Sequence, residues 1–594
     1  MALSQPLDEN PCRPRHFRPP PTCAPVVGDE RAAAVIELCR SRLVLAAALF
    51  ALIFVVLAVR LVDVVLLPGS AAEAPIARAR PIGLPLPVRA DLLDRDGRLL
   101  ATTLDSPSLY ADPRQIIDAR AATRAIISVL PQLDHGELYA RLTSGRSFVW
   151  IRRHLTPHQE YEINRLGVPG LQFIPEQRRV YPYGDLAAQV VGFCGIDNNG
   201  LEGIERSLNQ RIRDSKGPIR LSLDARVQFI LRQELQNVID TFSAKGAAGI
   251  VMNVHTGEVI AMVSLPDFDP NHPTMSDPNL PPEEEKEQKD RTFNRITLGD
   301  YEMGSVMKTF NTAMVLDSGV ATMTSEFDAS HDIHIGRFTI SDYHGKHRWL
   351  SVPEIFMYSS NIGSAREALA AGADVQREYL KRFGLLSPAP IQLDAVARPH
   401  FPNPWRKVNV MTIAFGHGLS VSPLNVITAG AAIVNGGILH PATLLQLPPG
   451  AEPPGRRVIS AKTSEEMRQL LRLVVEYGTA RFARGTGYLI GGKTGTAEKN
   501  KHGRYELKKL VSDFFAAFPM NDPQYAIFTL VDEPHGTKAS YGYATAGWTV
   551  VPATKRIVER IAPILGVAPV DASSPAIVAE LTPKSLQGKK IEAY

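Results

Sequence analysis

Three short stretches carry residue types that together can break and remake an amide bond. Ser305-Val306-Met307-Lys308 sets a hydroxyl and an amine three residues apart, just after Gly304 and at the head of a helical spacing over Ser305–Leu316. One helical turn then brings Lys308 beside Ser305. A serine hydroxyl attacks only when a base takes its proton. A lysine amine can be that base once burial and a nearby cation lower its pKa. Lys493-Thr494-Gly495-Thr496 offers the second cation, with two hydroxyls able to hold a carboxylate. Gly495 is expected to let a substrate backbone approach the strand. Ser359-Ser360-Asn361 lies between helical pieces at Val352–Phe356 and Ile362–Ala370. Ser359 can relay a proton there, and Asn361 can hydrogen-bond a peptide. The N–H of Ser305, at a helix start, faces where an oxyanion would develop.

Each motif alone is common. Ser207-Leu208-Asn209 imitates the second and Lys462-Thr463-Ser464 nearly imitates the third. Their order carries the signal: nucleophile on a helix start, then a loop serine, then a strand. The surrounding pattern supplies that frame. Leu221–Asp240 has helical periodicity, and Ala247–Val254 with Glu258–Val263 reads as a hairpin around His255-Thr256-Gly257. Gly487–Thr496, Asp513–Phe518 and Tyr525–Asp532 read as late strands, followed by a helix over Trp548–Leu565. Early and late strands around a helical insert predict an α+β fold, one antiparallel sheet flanked by helices.

At 594 residues the chain is long enough for several domains. It is 44% hydrophobic and 21% charged with a net charge of +4, and no Lys/Arg run suggests a nucleic-acid groove. Leu43–Leu67 is apolar except for Arg60 and Asp63, which predicts a single transmembrane helix. A signal peptide cut near Ala72-Glu73-Ala74 is the competing reading. The expected organisation is a cytoplasmic tail (1–42), an anchor (43–67), an N-terminal pedestal (68–217), a catalytic domain (218–568) and a polar C-terminal tail (569–594). Cys12, Cys23 and Cys39 precede the anchor and Cys194 stands alone after it, so neither an intrachain disulfide nor a zinc site is expected. The pairs His331/His334 and His344/His347, near Asp332 and Asp342, read as solvent-facing hairpin histidines with no metal; no cofactor is expected.

From Arg89 to Leu565 the chain resembles the class B penicillin-binding proteins. The three motifs carry the likeness, with Asp94–Ala101, Arg179-Val180-Tyr181-Pro182, Gly200–Glu205, Thr256–Met262 and Asn294-Arg295. The texture is closest to division-type (FtsI-like) members. The resemblance implies a penicillin-binding/serine β-lactamase-like transpeptidase domain on a dimerisation-like pedestal. It implies catalysis by Ser305, Lys308, Ser359, Asn361 and Lys493, and substrate binding by Thr494, Gly495 and Thr496. The reaction implied is peptidoglycan D,D-transpeptidation. Ser305 is acylated by a D-Ala-D-Ala stem peptide with release of D-alanine, and an amine of a neighbouring stem peptide takes the acyl group. Inhibition by β-lactams is implied, as are partnership with an FtsW-like lipid-linked glycan polymerase and other division proteins, and a place in the inner membrane with the catalytic domain periplasmic. A D,D-carboxypeptidase, another penicillin-binding hydrolase, a β-lactam sensor and an elongation-type transpeptidase are the alternatives. Glu205-Arg206-Ser207-Leu208-Asn209 matches the deacylating-glutamate element of serine β-lactamases, but it precedes Ser305 and reads as part of a pedestal helix. The histidine of Gly416-His417-Gly418 has no assigned role.

Overall fold

The structure is a computed structural model that describes residues 89–273, 289–588 and 591–593 apart from 337, 486, 502 and 503, with helical positions between 42 and 59. Two units separate, Met1–Leu84 and Pro85–Tyr594. In the first, residues 47–59 are helical and expose Phe50, Phe54 and Leu57. No helix among the described residues is long and apolar enough to cross a membrane. The rest of the expected anchor, residues 1–41 and the start of the expected pedestal, 68–88, lie outside the described residues.

The second unit begins with a mixed sheet. Leu99–Ala111 runs antiparallel to Leu171–Val180 through a continuous ladder and also pairs with Val149–Arg152. At its base it meets Leu92–Leu93, which pairs parallel with Ile219–Arg220. Three helices cover the far end: Ala119–Val129, His135–Leu142 and Pro157–Arg165. Asp118, Asp134 and Thr156 start them by accepting first-turn N–H groups. This head has its own core of Leu109, Ile126, Leu138 and Ile163. The base instead shares the catalytic core: Leu92, Leu100, Ile204 and Ile219 belong to the same cluster as Leu231 and Val251.

An ion cluster locks that base. Glu205, on the short helix Gly203–Ser207, is fully buried and accepts from Arg89 Nη2 at 2.5 Å and Arg179 Nε at 2.6 Å. Arg179 also donates to the Ala90 carbonyl. Glu205 is therefore a structural anion, as its place before the nucleophile suggested. Cys194 is a free thiol whose Sγ donates to Glu205; burial first, then that carboxylate, push it up to about 12.

The expected single antiparallel sheet is present. Its order is Gly491–Lys501, Arg504–Phe518, Tyr525–Asp532, Gly246–Asn253, Val259–Leu265, so a late block of three strands joins an early hairpin where Tyr525–Asp532 pairs with Gly246–Asn253. Ala225–Phe242 and Val550–Ile561 cover one face, where Gly249 makes room for Leu231 and Leu235. Pro423–Val434 covers the other, and a Cβ on Gly430 would strike the Phe515 ring at 2.3 Å. The strand Arg504–Phe518 starts earlier than its apolar alternation predicts, because Glu506, Lys508 and Lys509 break that alternation. The region read as a polar tail holds a helix, Pro575–Leu581, with Leu581 buried. Farther on, Tyr358 donates to the Glu592 carbonyl at 2.9 Å.

Replacing Glu205 by Ala leaves two buried guanidinium groups without their anion. Breaking such a cluster costs about 3–5 kcal/mol. A denaturation midpoint within experimental error of wild type would show that the cluster does not hold the pedestal base.

Candidate active site

The turn bearing Ser305, the expected nucleophile, is held between two glycine contacts. Gly304 has φ +48°, and a Cβ there would stand 2.8 Å from the Thr496 carbonyl oxygen. On the other side a Cβ at Gly416 (φ +90°) would meet the Gly304 carbonyl at 2.0 Å. The turn is therefore sandwiched between the Lys493–Thr496 strand and the Gly416–Gly418 turn. Ser305 falls in a 3-10 turn, Gly304–Met307, and the α-helix begins only at Lys308 and runs to Asp317. The expected helix start is thus a tighter turn, which still brings Lys308 Nζ to 3.0 Å from Ser305 Oγ.

Lys308 is fully buried. Its Nζ lies 2.5 Å from the Ser359 carbonyl, 2.8 Å from Asn361 Oδ1 and 3.0 Å from Ser359 Oγ. The two carbonyl-type oxygens can only accept. In a neutral amine they take both N–H groups, which leaves the lone pair for the hydroxyl of Ser305 or Ser359. Burial lowers the Lys308 pKa to about 7, with Asp342 and Glu367 pulling the other way. The amine is thus a base near neutral pH. Glu367, fully buried beneath it, is pushed up to about 8 by desolvation and accepts from Asn311 Nδ2 at 3.0 Å.

Lys493 is equally buried, and its Nζ donates to Ser359 Oγ at 3.0 Å and to the Thr494 carbonyl at 3.2 Å. Burial and the neighbouring Lys308 hold it well below an ordinary lysine. Ser359 Oγ therefore bridges the two amines. It is presented from a left-handed residue, φ +59°, that ends the helix Val352–Tyr358. Strain of this kind in a residue with a Cβ marks a backbone fixed by its surroundings. Asn361 is the first residue of the next helix, Asn361–Ala371, rather than a loop residue.

The predicted catalytic side chains thus converge. Thr494 and Thr496 line the same cleft of about 500 Å³, Thr494 sharing a hydrogen bond with Thr479 and Thr496 accepting from the Ala546 N–H. Gly495 differs from expectation. A Cβ there would meet Asp513 Oδ1 at 2.3 Å and the Met303 carbonyl at 2.4 Å, so the protein's own nucleophile turn is what demands the glycine.

Two cleft residues were named in the sequence without a role in the site. Asp342 Oδ1 accepts from the N–H groups of Asn361 and Ile362 at 2.6 and 3.0 Å, and Oδ2 accepts from Ser360 Oγ at 2.6 Å. It caps the helix that presents Asn361 and ties the strap 341–348 to it. Its only sequence mark is the His-rich strand pattern around it. That segment forms the hairpin Ile333–Ile335/Phe338–Ile340, and among the described residues no group of His, Cys, Asp and Glu could hold a metal ion. His417 lines the cleft beside Phe415 and Tyr505; burial lowers its pKa, and its Nδ1 has no hydrogen-bond partner among the described residues.

Two family models match the chain: the penicillin-binding protein transpeptidase domain over residues 247–555 and the penicillin-binding protein dimerisation domain over residues 85–241. The chain is 41% identical over 492 residues to the probable peptidoglycan D,D-transpeptidase FtsI of Caulobacter vibrioides, covering 81% of this chain and 82% of the relative. It is 27% identical to the peptidoglycan D,D-transpeptidase FtsI of Escherichia coli, covering 77% and 81%. It is 29% identical to stage V sporulation protein D of Bacillus subtilis, covering 81% and 79%. Among solved structures, penicillin-binding protein 3 of Mycobacterium tuberculosis, complexed with aztreonam, superposes with a TM-score of 0.63 at 23% identity, covering 82% of this chain and 97% of the other. That likeness concerns the fold.

The geometry predicts how Ser305 reacts with a penicillin. Its acylation rate should rise with pH up to about 7, as Lys308 loses its proton, and then level. Lys308→Arg should abolish acylation, because a guanidinium pKa stays above about 12. Asp342→Asn keeps the shape but weakens the helix cap, and a loss of about tenfold in acylation rate is expected. Stopped-flow labelling with a fluorescent penicillin measures all three; a pH-independent rate in the wild type would exclude Lys308 as the base.

Proposed function

This chain belongs to the class B penicillin-binding proteins of the FtsI type, and on that premise we propose that it is a peptidoglycan D,D-transpeptidase working through an acyl-enzyme on Ser305. The observation that carries the reading is buried Lys308 Nζ, 3.0 Å from Ser305 Oγ, with two carbonyl oxygens placed to accept its N–H groups.

The donor stem peptide lies along the Gly491–Lys501 strand with its terminal carboxylate toward Lys493, Thr494 and Thr496. Ser305 Oγ attacks the carbonyl of the penultimate D-alanine while Lys308 Nζ takes the hydroxyl proton. The N–H of Ser305 donates to the oxyanion. Ser359 Oγ, in reach of both amines, relays the proton to the leaving nitrogen of the terminal D-alanine. Asn361 bonds the peptide and holds Lys308. An amine of a neighbouring stem peptide then attacks the ester, its proton returning by the same route to Ser305.

A hydrolase would need a second base to activate water on the ester. Asp342 is the only carboxylate lining the cleft among the described residues, and both its oxygens are engaged at the helix start. Glu205 is buried in the pedestal between two arginines. Transfer to an amine is therefore favoured over hydrolysis. The likeness to FtsI supports septal wall synthesis beside an FtsW-like glycan polymerase and other division proteins. The apolar run Leu43–Leu67 supports a single-pass anchor that holds the catalytic unit in the periplasm.

Intact-protein mass after a brief penicillin pulse should show one adduct, absent in Ser305→Ala, that persists for hours once free drug is removed. A missing deacylation base worth about 3 kcal/mol alone slows turnover about a hundredfold. Return to the unmodified mass within seconds would instead establish a hydrolase. Reporter fusions at residues 30 and 100 should give opposite compartment signals; matching signals would remove the anchor.

A further inference from the structure

An ammonium must lose two protons to become an amide nitrogen, and the route described above takes back only one, through Lys308 to Ser305 Oγ. At pH 7 an acceptor amine with a lysine-like pKa of about 10.4 is a free base in only about four molecules in ten thousand. Its ammonium form has no lone pair with which to attack the ester. The first proton therefore needs a separate acceptor beside Ser305, because Lys308 cannot hold two.

His417 stands where that acceptor is required. It lines the same cleft as Ser305, Ser359 and Asn361. The glycines on either side each fasten it to the nucleophile turn. Gly416 packs so closely on the Gly304 carbonyl that a Cβ would stand 2.0 Å away, and the Gly418 N–H donates to Glu302 Oε1 at 3.0 Å. The ring lies against Phe415 and Tyr505, at centroid distances of 5.4 and 5.6 Å. Its Nδ1 is buried with no hydrogen-bond partner among the described residues. The residue as a whole is only partly buried, so the ring opens to the cleft on its Nε2 side.

We propose that His417 is the base that takes the first proton from the acceptor amine. An N–H bond of the ammonium breaks and one forms on His417 Nε2, which leaves a neutral amine. Its lone pair attacks the Ser305 ester; the C–N bond forms and the C–Oγ bond breaks. The second proton returns through Lys308 to Ser305 Oγ, and the imidazolium gives its own to water. One proton leaves to solvent for each cross-link made. This rests on the transpeptidase reading and gives its second half-reaction a catalytic residue.

The charges around the ring suit a base that is neutral between turnovers. Burial holds the imidazole below its ordinary pKa. Glu302 on the nucleophile turn and Glu498 on the strand Gly491–Lys501 pull it back, while Lys308 adds to the lowering. Glu302 is fixed beside the ring, because its other oxygen accepts from the Tyr505 hydroxyl at 3.0 Å. Beyond Gly418, an open hollow of about 460 Å³ is lined by Asp300, Glu302 and Glu498. Its Lys499 pairs with Asp532 and Glu533 at 2.7 and 2.8 Å, and Asp300 lies 2.6 Å from His400. Glu302 and Glu498 thus draw a cationic amine toward His417 and answer the imidazolium once it forms.

The test separates the two half-reactions, on the full chain in detergent. An acyl-D-alanyl thioester acylates Ser305. A soluble stem tetrapeptide, which lacks the terminal D-alanine and so cannot be a donor, supplies the amine, and the amide product is counted by chromatography. In the wild type amide formation should rise with pH near 7, together with acylation. In His417→Gln it should fall about a hundredfold at pH 7. Its rise should also move up toward the amine's own pKa, where solvent supplies the free base. Penicillin labelling of the same variant should keep its rise near pH 7, which also reports a folded protein. His417→Phe serves if His417→Gln does not fold. A wild-type amide profile in either variant, or the same fractional loss at every pH, would overturn the proposal. A penicillin adduct with no amide product in the wild type would instead overturn the transpeptidase reading, and the proposal with it.

Discussion

Two lysine amines buried side by side are the constraint around which the rest of this structure is arranged. Removing an ammonium from water is expensive, and placing a second one beside it is more so. The chain answers by converging both on one hydroxyl, Ser359 Oγ, at 3.0 Å from each. It answers again by giving Lys308 two carbonyl oxygens that accept its N–H groups. The amine that results can take a proton at neutral pH while still being held in place. Its low pKa and its orientation therefore have the same cause, its enclosure.

That enclosure depends on backbone contacts that permit no side chain. The turn bearing Ser305 rests on Thr496 through Gly304, under Gly416, and beside Gly495. Three glycines, far apart in the chain, let three segments touch where Cβ atoms would force them apart. Beneath them the sheet supplies Lys493 from a strand edge, while the helix pair joined at Ser359 supplies the relay from the opposite wall.

Much of this was legible in the sequence. Ser305, Lys308, Ser359, Asn361 and Lys493 were named by motif, and their chemistry requires the convergence the structure has. The single sheet drawn from early and late strands was readable from alternation and turn residues alone. What was not legible depends on tertiary neighbours. Asp342 caps a helix from a separate strap, and nothing in the local sequence says which N–H groups it will meet. Gly495 reads as an opening for substrate when seen alone; only the approach of Met303 shows what it makes room for. The last segment reads as a polar tail because its few apolar residues find distant partners, Leu581 in the main core and Leu586 and Ile591 beside Tyr358, which no periodicity records.

The junction of early and late strands in one sheet also sets an order on how the protein comes into being. Gly246–Asn253 is a central strand, yet one of its two neighbours, Tyr525–Asp532, is synthesised only after the whole helical insert. Until then one open edge has no native partner, although Ala225–Phe242 already covers one face. Pairings between distant segments form slowly and leave such edges exposed to aggregation. Lys493 comes from a strand in the same late group, so in the proposed mechanism the nucleophile is made before the site that activates it. A nascent chain therefore carries Ser305 as an ordinary, unreactive alcohol, and reactivity arrives with completion of the fold.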